Sequence, residues 1–546
     1  MVEVVTRSPA NPLETGPTRR PLMVHLLSLA AAAVLIVWSA RGLQFYYDDW
    51  AMVAAINRGE PLWGWLMAPH NEHWILVPKL VFAGLHSLVG FGSVWPYALV
   101  TLALHLTLCH LLWRFAVRCG ADPWLATIAA LGFAVYCAGV ENILVAMEML
   151  FVGSMVLGTL TFLELTRGRP RPALVVLWSV LNVMTFSLGP VFVGMAALLI
   201  VVQRRWRTLG ALVPAAALFV AWRSVQQPAS TGTAASVGDL LTLPVYWAMG
   251  VGNGVSSIVP WRSAAATPLP GLDPRGALLA CVGVVVLVLA VFAGERVHRW
   301  RGGAAATVFM LGCPGVVLVT SFSRVDFGLG YAMISRNTYV STAFLLPFLV
   351  VVLSRVSREG GRVRVAVVAT ALAVALANVV VWGGVGRAWS DLTQRNARVL
   401  AAGQELQRQG ETLLPEMAAT SDFAWLSPAD LERLDLSEVS STVTAVDALD
   451  ARLAAQTTIE RLQVPQDGCS VVADSRIAFA VDDDEGWFRL EHRSDVSFWM
   501  RDGHVRSSGK VTTLDAGTYG VRTLSAHGEL DLQDLGGSRS LTACSD

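Results

Sequence analysis

Two neighbouring carboxylates, Asp48 and Asp49, sit in the stretch Phe45-Tyr46-Tyr47-Asp48-Asp49-Trp50, directly after the first long apolar block. Like charges raise each other's pKa, so such a pair at a membrane interface asks for a cation or for hydrogen-bond donors. It suits a general base facing an acceptor hydroxyl, with the second carboxylate orienting the first or holding a metal. A solvated acidic cap on a helix end is the plainer alternative. Downstream lies His70-Asn71-Glu72-His73-Trp74. His70 and His73, three residues apart, could share a helix face and bind a metal, although no zinc-motif spacing is met. The cluster is otherwise read as lining a substrate, or as interface packing.

A second acidic stretch, Gly139-Val140-Glu141-Asn142-Ile143-Leu144-Val145-Ala146-Met147-Glu148, carries two glutamates at or near membrane depth. Carboxylates there are costly and therefore functional candidates. Glu141 is the stronger of the two, with a water-exposed turn carboxylate as the alternative. A third stretch, residues 321–339, holds Arg324, Asp326, Tyr331 and Arg336. A guanidinium matches a phosphate bidentately, whereas an Arg324–Asp326 ion pair would need no ligand. His105, His110, Asn182 and Asn378 lie within apolar blocks and read as interhelical hydrogen-bonding groups. The run Asp482-Asp483-Asp484-Glu485 is a solvated turn before it is a calcium site. No Walker loop, Gly-x-Ser-x-Gly elbow or dinucleotide fingerprint occurs, which argues against a nucleotide-driven machine.

These residues must be carried by a membrane protein. Of 546 residues, 54% are hydrophobic and 15% charged, and the mean hydropathy is +0.52; soluble domains carry about 25% charge. The 41 basic residues balance the 41 acidic ones, which gives no hint of nucleic-acid binding, and only Lys79 and Lys510 are lysine. That arginine bias suggests a high-GC bacterial genome. Apolar blocks near 22–40, 95–113, 124–140, 149–166, 173–188, 190–203, 208–226, 277–293, 303–320, 338–354 and 365–383 predict about 11 spanning helices. With the N-terminus cytoplasmic, alternate gaps hold eighteen basic residues and the opposite gaps eight. The positive-inside rule therefore predicts an N-in, C-out polytopic α-helical protein. Arg324 and Arg336 then lie on the side that the rule depletes, which an anionic ligand would explain.

Two details qualify this topology. Residues 173–203 are short for two spans and break at Ser187-Leu188-Gly189-Pro190, so a re-entrant hairpin is the alternative. Residues 72–91 are apolar enough to span, but a crossing there would invert the charge pattern. They are read as an outer interfacial helix, with Trp63, Trp65, Trp74 and Trp95 at headgroup level. The expected organisation is a disordered cytoplasmic tail over 1–21, a transmembrane domain over 22–385 with outer loop 41–94, a helical extracytoplasmic region over 386–465, and a β-rich domain over 466–546 ending in a small β-sandwich. Cys469 and Cys544 lie in the polar C-terminal part and could pair if it faces an oxidising compartment.

One transmembrane helix, an acidic outer loop, interfacial helices, a second acidic turn after helix three and a C-terminal outer domain resemble the GT-C class of membrane glycosyltransferases, including actinobacterial members. The resemblance covers about residues 20–385, is architectural, and is sharpest at Tyr47-Asp48-Asp49-Trp50. It implies transfer of a sugar from a polyprenyl-phosphate-linked donor to an extracytoplasmic acceptor, a cell-envelope glycan or a protein, at the plasma membrane. It implies Asp48 or Asp49 as catalytic base and Glu141 as the second acidic position, orienting the acceptor or holding a divalent cation such as Mg or Mn. Arg336 and Arg324, with Tyr331, would hold the lipid phosphate, and His70, Glu72, His73 and Trp74 would line the substrate. The chain departs from the class in having no obvious Asp-x-Asp and no single subfamily's signature. A lipid-linked polysaccharide polymerase or ligase shares the architecture. A flippase would need midplane charges and structural repeats, and neither is found.

Overall fold

The computed structural model describes residues 19–226, 237–260, 274–298, 303–325, 329–414 and 426–461, and beyond these the strands of a C-terminal β region with part of their connections. The N-terminal tail to residue 18, Asp326 and the acidic run 482–485 lie outside the described residues. The chain divides into two compact units. The first comprises residues 1–41, 66–80 and 97–388, the second residues 42–65, 81–96 and 389–546.

The first unit is a helical bundle. Among the described residues, six helices are long and apolar enough to cross a membrane, namely Arg19–Ser39, Trp95–Arg118, Trp206–Gln226, Gly303–Phe322, Ser335–Val356 and the N-terminal part of Gly361–Arg408. A bent pair, Pro123–Ala134 with Cys137–Leu144, makes a seventh if it is one span. Length and composition alone thus account for six or seven of the expected 11 spans among the described residues. All eleven segments are helical; Met149–Leu165, Pro172–Val183 and Leu188–Val202 are shorter than the roughly 20 residues a span needs, whereas Pro274–His298 runs for 25. The break between Pro172–Val183 and Leu188–Val202 is tight. A Cβ at Gly189 would stand 2.6 Å from the backbone of Val183. The segment read as interfacial contains the 14-residue helix Leu76–Val89, too short to cross.

One helix was not anticipated. Val237–Ser256 runs through residues whose Gly, Asn and Thr content dilutes the apolar signal, with Pro244 inside it. Small residues let it pack closely. A Cβ on Gly252 would fall on the Ala280 carbonyl, and one on Gly283 on the Gly252 carbonyl. On another face Asn253 donates to Thr338 Oγ1 at 2.7 Å and Thr342 donates to the Gly254 carbonyl at 2.8 Å. These contacts tie it to helix Ser335–Val356, the most buried of the six candidate spans.

In the second unit, helix Gly361–Arg408 continues past residue 385, where the sequence suggested a boundary, for 48 residues in all. Two short helices after it, Pro428–Glu432 and Ala445–Gln456, start with capping boxes, Ser427 with Asp430 and Thr444 with Asp447. Two five-stranded sheets follow. One contains Thr457–Arg461, Gly517–Thr523, Gly486–Leu490, Leu541–Cys544 and Cys469–Val471 in that order; the other contains Arg476–Ala480, Glu529–Asp534, Ser494–Asp502 and Val505–Arg506, with Lys510–Leu514 also paired to Ser494–Asp502. Alternate residues meet in one core: Phe488 and Leu490, Tyr519 and Val521 from the first sheet, Val496, Phe498, Met500, Leu530 and Leu532 from the second. This is a sandwich, and its first strand begins at Thr457, earlier than residue 466.

Two stability predictions follow from these contacts. Gly252→Ala should lower the melting temperature of the detergent-solubilised protein by several degrees, as overpacking costs about 1–3 kcal/mol. Gly315→Ala, whose Cβ meets nothing within 4 Å, should leave it unchanged; equal melting temperatures would refute the tight crossing. In the second unit Arg58 grips Asp430 with Nε and Nη2 at 2.7 and 2.9 Å. Burial alone would raise the Asp430 pKa, but hydrogen bonds from Arg58 and Ser427 outweigh it and hold the carboxyl below 3.8. A depressed pKa adds stability above the unfolded value that is lost as pH falls through the folded one. On lowering the pH, peptic cleavage around residues 427–433 should therefore begin at a lower pH in the wild type than in Arg58→Gln, and onset at the same pH would refute the stabilising pair.

Candidate functional site

The acidic pair opens helix Asp48–Asn57, where first-turn carboxylates are favoured by the helix dipole. The backbone before it is strained. Tyr47 has φ 44° and ψ −104°, a conformation that non-glycine residues rarely adopt. The turn is held by Asp49 N–H donating to the Tyr46 carbonyl at 2.9 Å and Trp50 N–H to the Tyr47 carbonyl at 3.1 Å. In return Tyr46 N–H donates to Asp49 Oδ2 at 3.0 Å. Asp49 is fully buried and Asp48 half-buried. Aromatic rings brace the turn: Tyr46 meets the Trp389 ring edge-on at 5.2 Å, and Phe45 meets Trp50 at 5.4 Å. Gln44 N–H donates to Thr393 Oγ1 at 3.1 Å. The two carboxylates thus differ in burial.

Within the first unit, Glu141 and Arg336 come together. Arg336 Nε donates to Glu141 Oε1 at 2.9 Å, and its Nη2 donates to the same oxygen. Arg336 Nε also lies 3.5 Å from Glu148 Oε1. Glu148 is the more buried carboxylate, and Asn142 Nδ2 donates to its Oε2 at 2.9 Å. One guanidinium therefore serves two carboxylates separated from it by almost 200 residues of chain.

The bend at 46° between Pro123–Ala134 and Cys137–Leu144 brings this acidic segment onto the start of helix Ser335–Val356. Ser335 donates to the Ala138 carbonyl at 2.9 Å. Tyr136 shares hydrogen bonds with Ser257 and Thr342. One turn after Arg336, Tyr339 bonds His105 Nδ1 at 2.7 Å, while His105 Nε2 donates to the Ala134 carbonyl at 3.0 Å. Gly139 is required here, since a Cβ would lie 2.6 Å from the Tyr339 ring and 2.8 Å from that of Tyr136.

Arg324 does not need Asp326 for charge compensation. Its Nη2 donates to Glu72 Oε1 at 2.6 Å, and both side chains are largely buried. Beside them, His73 Nδ1 bonds Ser187 Oγ, and its ring meets Phe186 at 4.6 Å. The shared helix face proposed for His70 and His73 is corrected. The two residues exchange backbone hydrogen bonds of 2.9 and 3.0 Å across a tight turn in which Asn71 has φ 52°. Trp74 stacks on Trp222 at 5.3 Å and is buried, as is Trp65. Trp63 is exposed. Tyr331, in the short helix Leu329–Met333, presents its carbonyl to Asn337 Nδ2 at 3.4 Å.

Glu148, Asn142 and Ser187 also take part in these contacts, and no local spacing announces them. The polar residues read as interhelical bonds behave accordingly at His105, at Asn182, which accepts from Ser154, and at Asn378, which donates to the Ile258 carbonyl at 3.0 Å. His110 instead stacks on His25 and Trp113. Among the described residues no group of three or more His, Cys, Asp and Glu side chains is arranged to hold a metal ion, and Glu141 is taken by Arg336.

No family model and no curated protein matches this chain. Solved structures do. The ArnT of Cupriavidus metallidurans bound to undecaprenyl phosphate is 14% identical, over 80% of this chain and 92% of that one, with a TM-score of 0.43. Its apo state is 13% identical, over 81% and 93%, with a TM-score of 0.45.

The Glu148 contacts give a prediction. Glu148→Ala leaves the Asn142 amide and part of the Arg336 charge without a partner in a buried place, at a cost of about 1–3 kcal/mol. Its melting temperature should fall more than that of Glu148→Gln, which keeps an acceptor for Asn142. Indistinguishable melts would show that the buried carboxylate does not hold the segment.

Proposed function

We propose that this chain is an integral-membrane glycosyltransferase of the GT-C type, moving a sugar from a polyprenyl-phosphate-linked donor to a hydroxyl of an extracytoplasmic acceptor. The observation that carries the reading is the Tyr46–Trp50 turn. A strained tyrosine and a brace of aromatic rings fix one buried and one half-buried carboxylate at a helix start. Fixing carboxylates at the cost of backbone strain is characteristic of functional sites.

In this reading Asp49 or Asp48 takes the proton of the acceptor hydroxyl. The oxygen attacks the anomeric carbon, the bond from that carbon to the phosphate oxygen breaks, and the lipid phosphate leaves with the electron pair. Arg336 and Arg324 stabilise the charge that develops on it, an electrostatic role. Glu141 and Glu148 orient the Arg336 guanidinium, and Glu72 that of Arg324. Tyr331, His70, His73 and Trp74 complete the substrate-lining set. The carboxylates near Arg336 do not form a metal-binding set, so no step is routed through a cation.

The test is a deletion strain complemented with wild type, Asp48→Asn or Asp49→Asn, with envelope glycan composition as readout. Losing a positioned base costs about 10²–10⁴-fold in rate. Wild type should restore the missing sugar linkage and at least one Asn variant should not, at equal membrane abundance. Restoration by both variants would refute the catalytic assignment.

A further inference from the structure

In the β-sandwich, strand Cys469–Val471 is an edge strand only three residues long, and its neighbour is Leu541–Cys544. The antiparallel register pairs Val471 with Thr542, Ser470 with Ala543 and Cys469 with Cys544. Two cysteines separated by about 75 residues of chain therefore occupy directly opposed backbone positions. Opposed residues of neighbouring antiparallel strands stand roughly 4.5 or 5.5 Å apart at Cα, within the range of about 4.4–6.8 Å that a disulfide bridges. A strand of three residues has few hydrogen bonds with which to keep its place. The remaining five cysteines, Cys109, Cys119, Cys137, Cys281 and Cys313, are unpaired, and four of them are buried.

We propose that Cys469 and Cys544 form a disulfide that staples the edge strand to the sheet. Two thiols lose two protons and two electrons as the S–S bond forms. The electrons pass by thiol–disulfide exchange to the disulfide of a dithiol oxidoreductase, which is reduced to its dithiol. Such a bond persists only in an oxidising compartment, so it also marks the side of the membrane occupied by residues 389–546. This inference does not depend on the proposed sugar transfer.

The experiment uses the full chain from cells quenched with acid at lysis, which protonates thiols and halts exchange without capping them. The protein is denatured and labelled with a maleimide mass tag, with and without prior reduction. Five tags are expected without reduction and seven after it, and the Cys469→Ser variant should take six under both conditions. A non-reduced digest should contain the two cysteine peptides as one cross-linked species. Seven tags without reduction would overturn the proposal, as would five tags with a cross-link between any other pair.

Discussion

Arg336 is the point at which the first unit's electrostatics and its architecture meet. A guanidinium reaching toward membrane depth is costly unless its charge is matched. Here it is matched twice, by Glu141 and Glu148, which flank a short helix and the start of the next. The same three side chains therefore neutralise one another and fasten the bent segment 134–148 to helix Ser335–Val356. Uncharged bonds extend the seam, from Ser335 to Ala138, from His105 to Tyr339 and from Tyr136 to Thr342. Arg324 repeats the device with Glu72, so residues 66–80 are tied to the rest of the first unit by an ion pair as well as by apolar contact.

In the second unit the acidic turn is held by its own backbone: Asp49 accepts the Tyr46 N–H across a turn in which Tyr47 takes a positive φ. Helix Gly361–Arg408 supplies the counterweight, through the Trp389 ring and the Thr393 hydroxyl. Further along the same helix Arg395 and Arg398 pair with Asp450 and Asp447. One long helix thus braces the acidic turn and anchors the capped helix that covers the sandwich core. The positive φ at Tyr47 is thus held from both sides, by the Asp49 carboxylate on the Tyr46 N–H and by the Trp389 ring and Thr393 hydroxyl of the long helix.

Much of this was legible where a local pattern decides the outcome. The alternation Val496, Phe498, Met500 marks a half-buried strand, and uninterrupted apolar blocks mark helices. Patterns fail where the deciding partner is remote. Glu72 lies 252 residues from Arg324, and nothing in the local spelling of either residue selects the other over Asp326. Glu148 looked weaker than Glu141 because its burial comes from packing, which sequence does not display. A tyrosine at positive φ carries no glycine to announce it. Helix Val237–Ser256 escaped notice because the glycines that allow its close packing also lower its apparent hydropathy.

That extra helix bears on sidedness. Arginines at 204, 205 and 207 and at 296, 299 and 301 fall on one side by the positive-inside rule. An even number of crossings must then separate them. Among the described residues three helices lie between, Trp206–Gln226, Val237–Ser256 and Pro274–His298, so the rule is met when two of them cross and one turns back. Trp206–Gln226 satisfies length and apolarity as a span. Val237–Ser256 carries Pro244 and a glycine-lined contact with Ala280 and Gly283, as expected of a helix enclosed by protein on more than one side. Helix Gly361–Arg408 leads from the arginines at 355–364 into the second unit. If the Cys469–Cys544 pair is oxidised, its strands lie in an oxidising compartment, and the arginines at 355–364 and at 204–207 then call for the same parity over the whole stretch. Two crossings among the three helices satisfy both constraints; three satisfy neither.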